Sequence, residues 1–480
     1  MAAGPPPRAM GRTRRIALPF AVAALAIVAV ADVASAHEIN SARFAAPVPL
    51  PLLYLGAGAT VAATALLSAR LVGPTDASGS ATSLADVDPA TARGARGVVR
   101  LAGLLLVVAV LAAGLRGRQV AAENLATLAF WPLWVDGLAL LAALVGSPWR
   151  LLSPWRTIYG ALCRIEGERI ALFGSPPGWL GAWAAVAGFV LLVGVGENLT
   201  VVPRSPRATA GLVAAYGLVV VVGALAFGPR WFERADPIEV LLGLVGRVAP
   251  VVARRQADGG YEVVLRPPWS GTATPVRSMA VVGFVVAAVA TISFDGFAAT
   301  ATYQDLLVAG GDAVGLAPGP TALVVYAAVL VLFLAAFVGV VRLVARAAGE
   351  SRRDGDVGQP ALVAAFAPTL LPIAVGYEFA HYGPYVVTNA AQAAHVALGA
   401  VVVAPPELQP LAGVSLATYW GFEVLAIVAG HVVAVVAAHR VAADRFAPGT
   451  ARRAHLPLVA LMVGYTMVSL WIVSQPVVAG

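Results

Sequence analysis

Apolar runs about twenty residues long recur from one end of the chain to the other, separated by polar stretches. Each is long enough to cross ~30 Å of hydrocarbon as a helix, which satisfies its backbone N–H and C=O groups within the segment. A chain patterned this way is expected to be an all-α integral membrane protein, a bundle of about ten transmembrane helices. Composition agrees: 59% of the 480 residues are hydrophobic and 12% charged, against roughly 25% charged in soluble domains.

Ten spans are predicted, at about 47–70, 98–115, 125–146, 179–199, 209–228, 277–298, 320–343, 361–388, 415–438 and 456–476. Ahead of them stand Arg8, Arg12, Arg14 and Arg15, an apolar run from Ile16 to Val33, and Ala34-Ser35-Ala36. That is the layout of a secretory signal peptide over 1–36, with cleavage expected after Ala36; an uncleaved anchor is the alternative. Residues 37–480 then read as one polytopic domain with cytoplasmic loops near 72–97, 147–178, 229–276, 344–360 and 439–455.

Every basic residue is arginine. The absence of lysine excludes a Walker A phosphate loop and Schiff-base catalysis, so neither a nucleotide nor pyridoxal phosphate is expected. Cys163 stands alone and offers no CxxC motif. The net charge of +7 has a topological cause and implies no nucleic-acid partner. The N-terminus and the loops after spans 1, 3, 5, 7 and 9 hold 27 arginines, and the opposite side holds Arg43, Arg116, Arg118, Arg204 and Arg207. This positive-inside bias predicts a plasma-membrane protein whose mature N- and C-termini are extracytoplasmic.

Two loops carry structure of their own. Ser147-Pro148-Trp149-Arg150 and Ser153-Pro154-Trp155-Arg156 form a tandem echo, suited to an interfacial segment along the inner leaflet. Val251–Ala257 and Tyr261–Arg266 read as a hairpin turning at Asp258-Gly259-Gly260. The Ser-, Asp-, Thr- and Gly-rich stretch 72–97 reads as a flexible linker.

An ionisable group within hydrocarbon is costly unless paired or hydrated, so each is a candidate for function. Asp136, Glu197, Asp295, Glu378, His381 and Glu423 all fall toward the outer ends of their spans. Within Tyr377-Glu378-Phe379-Ala380-His381-Tyr382 the Glu and His are three apart, on one helical face, as helical bundles present metal ligands. Asp295, Glu378, His381 and Glu423 are therefore expected to share a divalent transition metal of the Zn, Mn or Fe class, with Glu378, His381 and Asp295 catalytic. Weaker metal candidates are Asp136, Glu197, His395, His431 and His37, the first residue after the cleavage site. Interhelical hydrogen bonding without a metal is the competing reading.

The Ala36-His37-Glu38 start, Pro47-Val48-Pro49-Leu50-Pro51, the Pro-Trp-Arg repeats, Ser293-Phe294-Asp295-Gly296-Phe297, Tyr377–Tyr382, Ala429-Gly430-His431-Val432 and the last span together resemble the polytopic membrane proteins called fenitrothion hydrolases. The likeness covers most of the chain and is strongest from span 6 onward. The family tends to have His-x-x-His-Tyr where this chain has Glu378-Phe379-Ala380-His381-Tyr382. The resemblance implies hydrolysis of an aryl organophosphate triester.

Three functions follow as expectations. In a metal-dependent hydrolase of apolar esters, the ion would lower the pKa of a bound water and polarise P=O or C=O. In a transporter or metal-handling permease, the same cluster would be an ion vestibule, with His431 and His439 on the inward path. A non-catalytic membrane scaffold would use its loops. The partners expected are the lipid bilayer and either a small apolar substrate or a metal ion.

Overall fold

The computed structural model describes residues 49–71, 81–349 and 358–475; the signal-peptide stretch and His37 lie outside the described residues. The order of the principal elements is α1 (Leu50–Leu71), β1 (Thr82–Val87), α2 (Pro89–Arg116), α3 (Leu125–Val145), α4 (Trp149–Leu152), α5 (Pro154–Glu166), α6 (Trp183–Glu197), α7 (Pro206–Phe227), α8 (Arg230–Ala235) and α9 (Pro237–Val245). There follow β2 (Val251–Arg255), β3 (Tyr261–Leu265), α10 (Pro268–Thr272), α11 (Met279–Ala298), α12 (Ala301–Val314), α13 (Pro318–Ala348), α14 (Gln359–Gly399), α15 (Leu416–Arg445), α16 (Pro448–Ala454) and α17 (Leu456–Val473).

The chain is an all-α membrane bundle. Among the described residues nine helical segments are long and apolar enough to cross a membrane: α1, α2, α3, α7, α11, α13, α14, α15, and α16 running into α17. The stretch expected at 179–199 is the shorter α6, bounded by Pro176, Pro177 and Gly178 before it and Pro203 after it. α11 and α14 are the central helices, with 78% of the most apolar window of each buried, whereas that share is 17% in α13 and 22% in α2. The outer pair presents its side chains where lipid would be.

Caps in the sequence set many of the helix starts. The Asp88 carboxylate accepts from Ala90 N at 2.9 Å and Thr91 N at 3.0 Å, with Pro89 in the first turn, so α2 begins well before its apolar run. Hydropathy marks where the hydrocarbon begins, and the helix starts earlier. The same reason makes 439–455, expected as a loop, largely helical as the end of α15 plus α16.

The flexible linker expected over 72–97 is corrected for its second half. Thr82–Val87 is a strand pairing antiparallel with β3, whose other edge takes β2, giving the order β1-β3-β2. The β2–β3 hairpin supplies an open edge, and an unpaired strand edge is satisfied by whatever extended segment reaches it. The hairpin itself lies where the sequence predicts, turning at Gly259 with φ +94°.

The indoles of the tandem Ser-Pro-Trp-Arg units, expected at a lipid interface, are turned into the protein. Trp149 and Trp155 are buried within the protein. Trp149 Nε1 donates to Asp236 Oδ2 at 2.9 Å, and Tyr216 Oη donates to Asp236 Oδ1 at 2.6 Å. Arg156 grips Glu239 through Nε and Nη2, both at 2.6 Å, and Arg150 pairs with Glu233 and Glu239. The arginines thus have acidic partners on α8 and α9, and the indoles follow them inward. Burial pushes the Asp236 carboxyl up to about 6, aided by the nearby Glu239; its Tyr216, Trp149 and backbone donors pull the other way.

Candidate functional site

Four helices place the polar cluster: α3, α6, α11 and α14. Two of them leave regular α geometry on the way. Over Phe130–Gly137 and Val190–Glu197 the turns widen, and Leu138 N–H reaches back five residues to Leu133 O. The first widening contains Pro132, which has no N–H to give and crowds the carbonyl four residues back. The second contains Gly194 and Gly196. Each widened segment carries its acid, Asp136 or Glu197, near its C-terminal end.

Asp136, Glu197, Asn198, Asp295, Glu378 and Tyr382 line one cavity of about 60 Å³, whose remaining wall is mostly apolar. Asp295 Oδ2 is held twice: His381 Nε2 lies 2.8 Å away, and the Tyr382 hydroxyl donates to it at 2.8 Å. Because an ionised carboxylate only accepts, the His381 proton on this bond sits on Nε2.

The other acids are differently placed. Glu197 is 1% exposed, and no donor from the described residues reaches either of its carboxylate oxygens. Asp136 Oδ2 is likewise buried without a donor. Glu378 is only partly covered and reaches the cavity three residues before His381. Charges on Asp136, Glu197, Glu378 and Asp295 act directly on one another. Taking a carboxylate out of water costs several kcal/mol even after relaxation, so each of these acids either takes up a proton or shares a cation.

The expected four-residue set comes together only in part. Asp295 and His381 are in contact, and Glu378 joins Asp295 at the cavity. Glu423 is buried on α15 within electrostatic range of His381 but does not line the cavity. Among the described residues no three His, Cys, Asp or Glu side chains stand close enough to hold a metal ion as they are. Of the weaker candidates, Asp136 and Glu197 belong to the cavity. His395 Nδ1 instead meets Pro406 O at 3.0 Å, and His431 Nδ1 meets Ile427 O at 2.9 Å. Neither histidine lines the cavity.

Two further residues belong to the site. Tyr382 was visible as the neighbour of His381, but its role as a donor depends on where α11 sits. Asn198 follows Glu197 directly. Its Nδ2 donates to Val193 O at 2.9 Å, five residues back in the widened turn, and its buried Oδ1 has no donor among the described residues. Compared with known proteins, the chain matches no family model, no curated protein and no solved structure.

Proposed function

We propose that the chain is a cation-handling membrane permease whose ion sits among Asp136, Glu197, Asp295 and Glu378. One observation carries this reading: both Glu197 oxygens and Asp136 Oδ2 are buried around a common cavity with no donor to them among the described residues. Buried acceptors of one sign are stabilised by a cation, and His381, the imidazole at the cluster among the described residues, is engaged by Asp295. Purified protein in proteoliposomes should carry a cation flux that Glu197→Gln and Asp136→Asn abolish and His395→Ala leaves intact. Flux unchanged in both acid variants would overturn the reading.

The ester-hydrolase reading implied by the family resemblance needs room for an aryl triester. Pockets for ligands of that size run about 300–1,000 Å³, and this cavity is about 60 Å³. Chelator-sensitive esterase activity of the purified protein, lost in Glu378→Gln, would favour the hydrolase over the permease.

The arginine bias supports a plasma-membrane orientation with the acid cluster toward the extracytoplasmic side. A reporter fused after Gly480 should signal from outside the cytoplasm; a cytoplasmic signal reverses the topology.

A further inference from the structure

The geometry points to a hard, oxygen-preferring divalent cation of the Mg²⁺, Ca²⁺ or Mn²⁺ class, held at the Asp136–Glu197–Asn198 side of the cavity with part of its hydration shell retained. This rests on the cation-binding reading above and names the ion class.

The donor set decides the class. Four acceptor atoms at the cavity residues are buried and lack a donor among the described residues: Glu197 Oε1 and Oε2, Asp136 Oδ2 and Asn198 Oδ1. All four are oxygens. Asn198 is the independent member, since it is uncharged and only 7% exposed, and its amide nitrogen is already committed to Val193 O. A side chain oriented by its own N–H leaves a carbonyl oxygen as a ligand, which suits a hard cation and gives a soft one little. Among the described residues no sulfur lines the cavity, and His381 Nε2 is directed to Asp295.

Space decides the hydration. A water needs about 10–15 Å³, so a cavity of about 60 Å³ holds about four to six water-sized occupants. That is room for one ion and about three to five waters. Among the described residues no three His, Cys, Asp or Glu side chains stand close enough to hold an ion directly, so waters complete the shell of an ion held by Asp136, Glu197 and Asn198. Mg²⁺ in particular keeps several waters and takes only one or two carboxylates directly. Asp136 and Glu197 balance the charge of one divalent ion, while Asp295 is engaged by His381 and Glu378 is only partly covered.

Mn²⁺ is the probe, with full-length protein in nanodiscs and bound ion read by electron paramagnetic resonance. One Mn²⁺ per chain should bind, be displaced by Mg²⁺ or Ca²⁺, show at least two exchangeable water ligands, and lack the nitrogen modulation of a coordinated imidazole. Asn198→Leu should weaken Mn²⁺ binding about tenfold, with Asn198→Asp retaining it. Should the leucine variant fail to fold, the water count and the nitrogen signal of the wild type decide alone. Bound Mn²⁺ with imidazole nitrogen in its shell, or with no water ligand, overturns the inference and leaves cation binding standing. Undiminished binding in a folded Asn198→Leu variant also overturns it. Folded wild type that takes up no cation overturns both readings.

Discussion

The imidazole of His381 and the carboxylate of Asp295 meet at 2.8 Å, and the oxygen that holds the ring also takes the hydroxyl of the next residue, Tyr382. One oxygen on α11 therefore fixes two successive side chains of α14. The central helices are joined at the depth of the cavity, and the orientation of Glu378, three residues earlier, follows from the same junction.

Removing both sides of that junction should cost less than the two single removals added together. His381→Ala strands a buried carboxylate, at about 3–5 kcal/mol for a broken buried pair. His381→Ala combined with Asp295→Ala should be less destabilising than the sum of the single changes. Thermal unfolding in detergent, read as a double-mutant cycle, checks this; additive losses would mean that the pair is uncoupled.

The crossing of α14 and α15 depends on two glycines. A Cβ at Gly430 would stand 2.4 Å from Pro372 O, and one at Gly376 would stand 2.5 Å from Ala426 O. Backbone cannot yield as a side-chain tip does, so Gly430→Ala should destabilise by roughly 3 kcal/mol or more. It should also move Glu423 away from His381. Gly421→Ala on the same helix meets nothing within 4 Å and should be neutral or gain about 0.5–1 kcal/mol. The two melting temperatures, compared side by side, test the contrast.

Asp236 makes stability depend on pH. Burial holds its carboxyl up to about 6 in the folded protein, against about 3.9 in an unfolded chain. With the folded value raised, its contribution is fully present below about pH 4 and is lost as pH rises toward 6, on the order of 3 kcal/mol in all. Asp236→Asn should flatten the pH dependence of the melting temperature across that window. Trp149, whose ring N–H donates to this carboxylate, should report the same midpoint in the emission difference between wild type and Trp149→Phe. A wild-type slope unchanged in Asp236→Asn would show that other groups carry it.

The pair between Arg156 and Glu239 is the firmest ion pair at that docking site, with both bonds at 2.6 Å and Glu239 largely buried. Glu239→Ala should cost about 3–5 kcal/mol by stranding a partly buried guanidinium. Arg156→Lys should recover only part of this, because the ammonium cannot make the forked contact. Protease sensitivity of 147–178 in the two variants reads the loosening directly.

Much of the bundle was legible because lipid imposes one rule: an apolar run near twenty residues long has to be a helix. Asp136, Glu197, Asp295, Glu378, His381 and Glu423 stood out for the complementary reason, that a charge in such a run is expensive. Their pairing was not legible. A widened turn adds a residue and rotates everything after it by ~100°, and Asp136 and Glu197 sit at the ends of two such turns. Depth along the spans groups Glu423 with Asp295, Glu378 and His381, whereas Asp136 and Glu197 are the acids that share the cavity with Asp295 and Glu378. Asn198 carries no charge and raised no alarm in the sequence; only the direction of its amide reveals it. Likewise β1 is too short and polar to announce itself, and its partner lies far along the chain.

That distant pairing has a consequence for biosynthesis. Val87, at the end of β1, pairs with Tyr261 at the start of β3, roughly 175 residues later in the order of synthesis. At about 5–20 residues per second, the ribosome needs some 10–35 s to deliver the partner. During that interval α2, α3, α6 and α7 are made while β1 remains a solvated segment with nothing to pair with. The sheet therefore closes only after the first half of the bundle has been synthesised, acting as a late latch between the segment before α2 and the one after α9. A nascent chain stalled before β3 would carry every helix of that half and still lack the clasp across it.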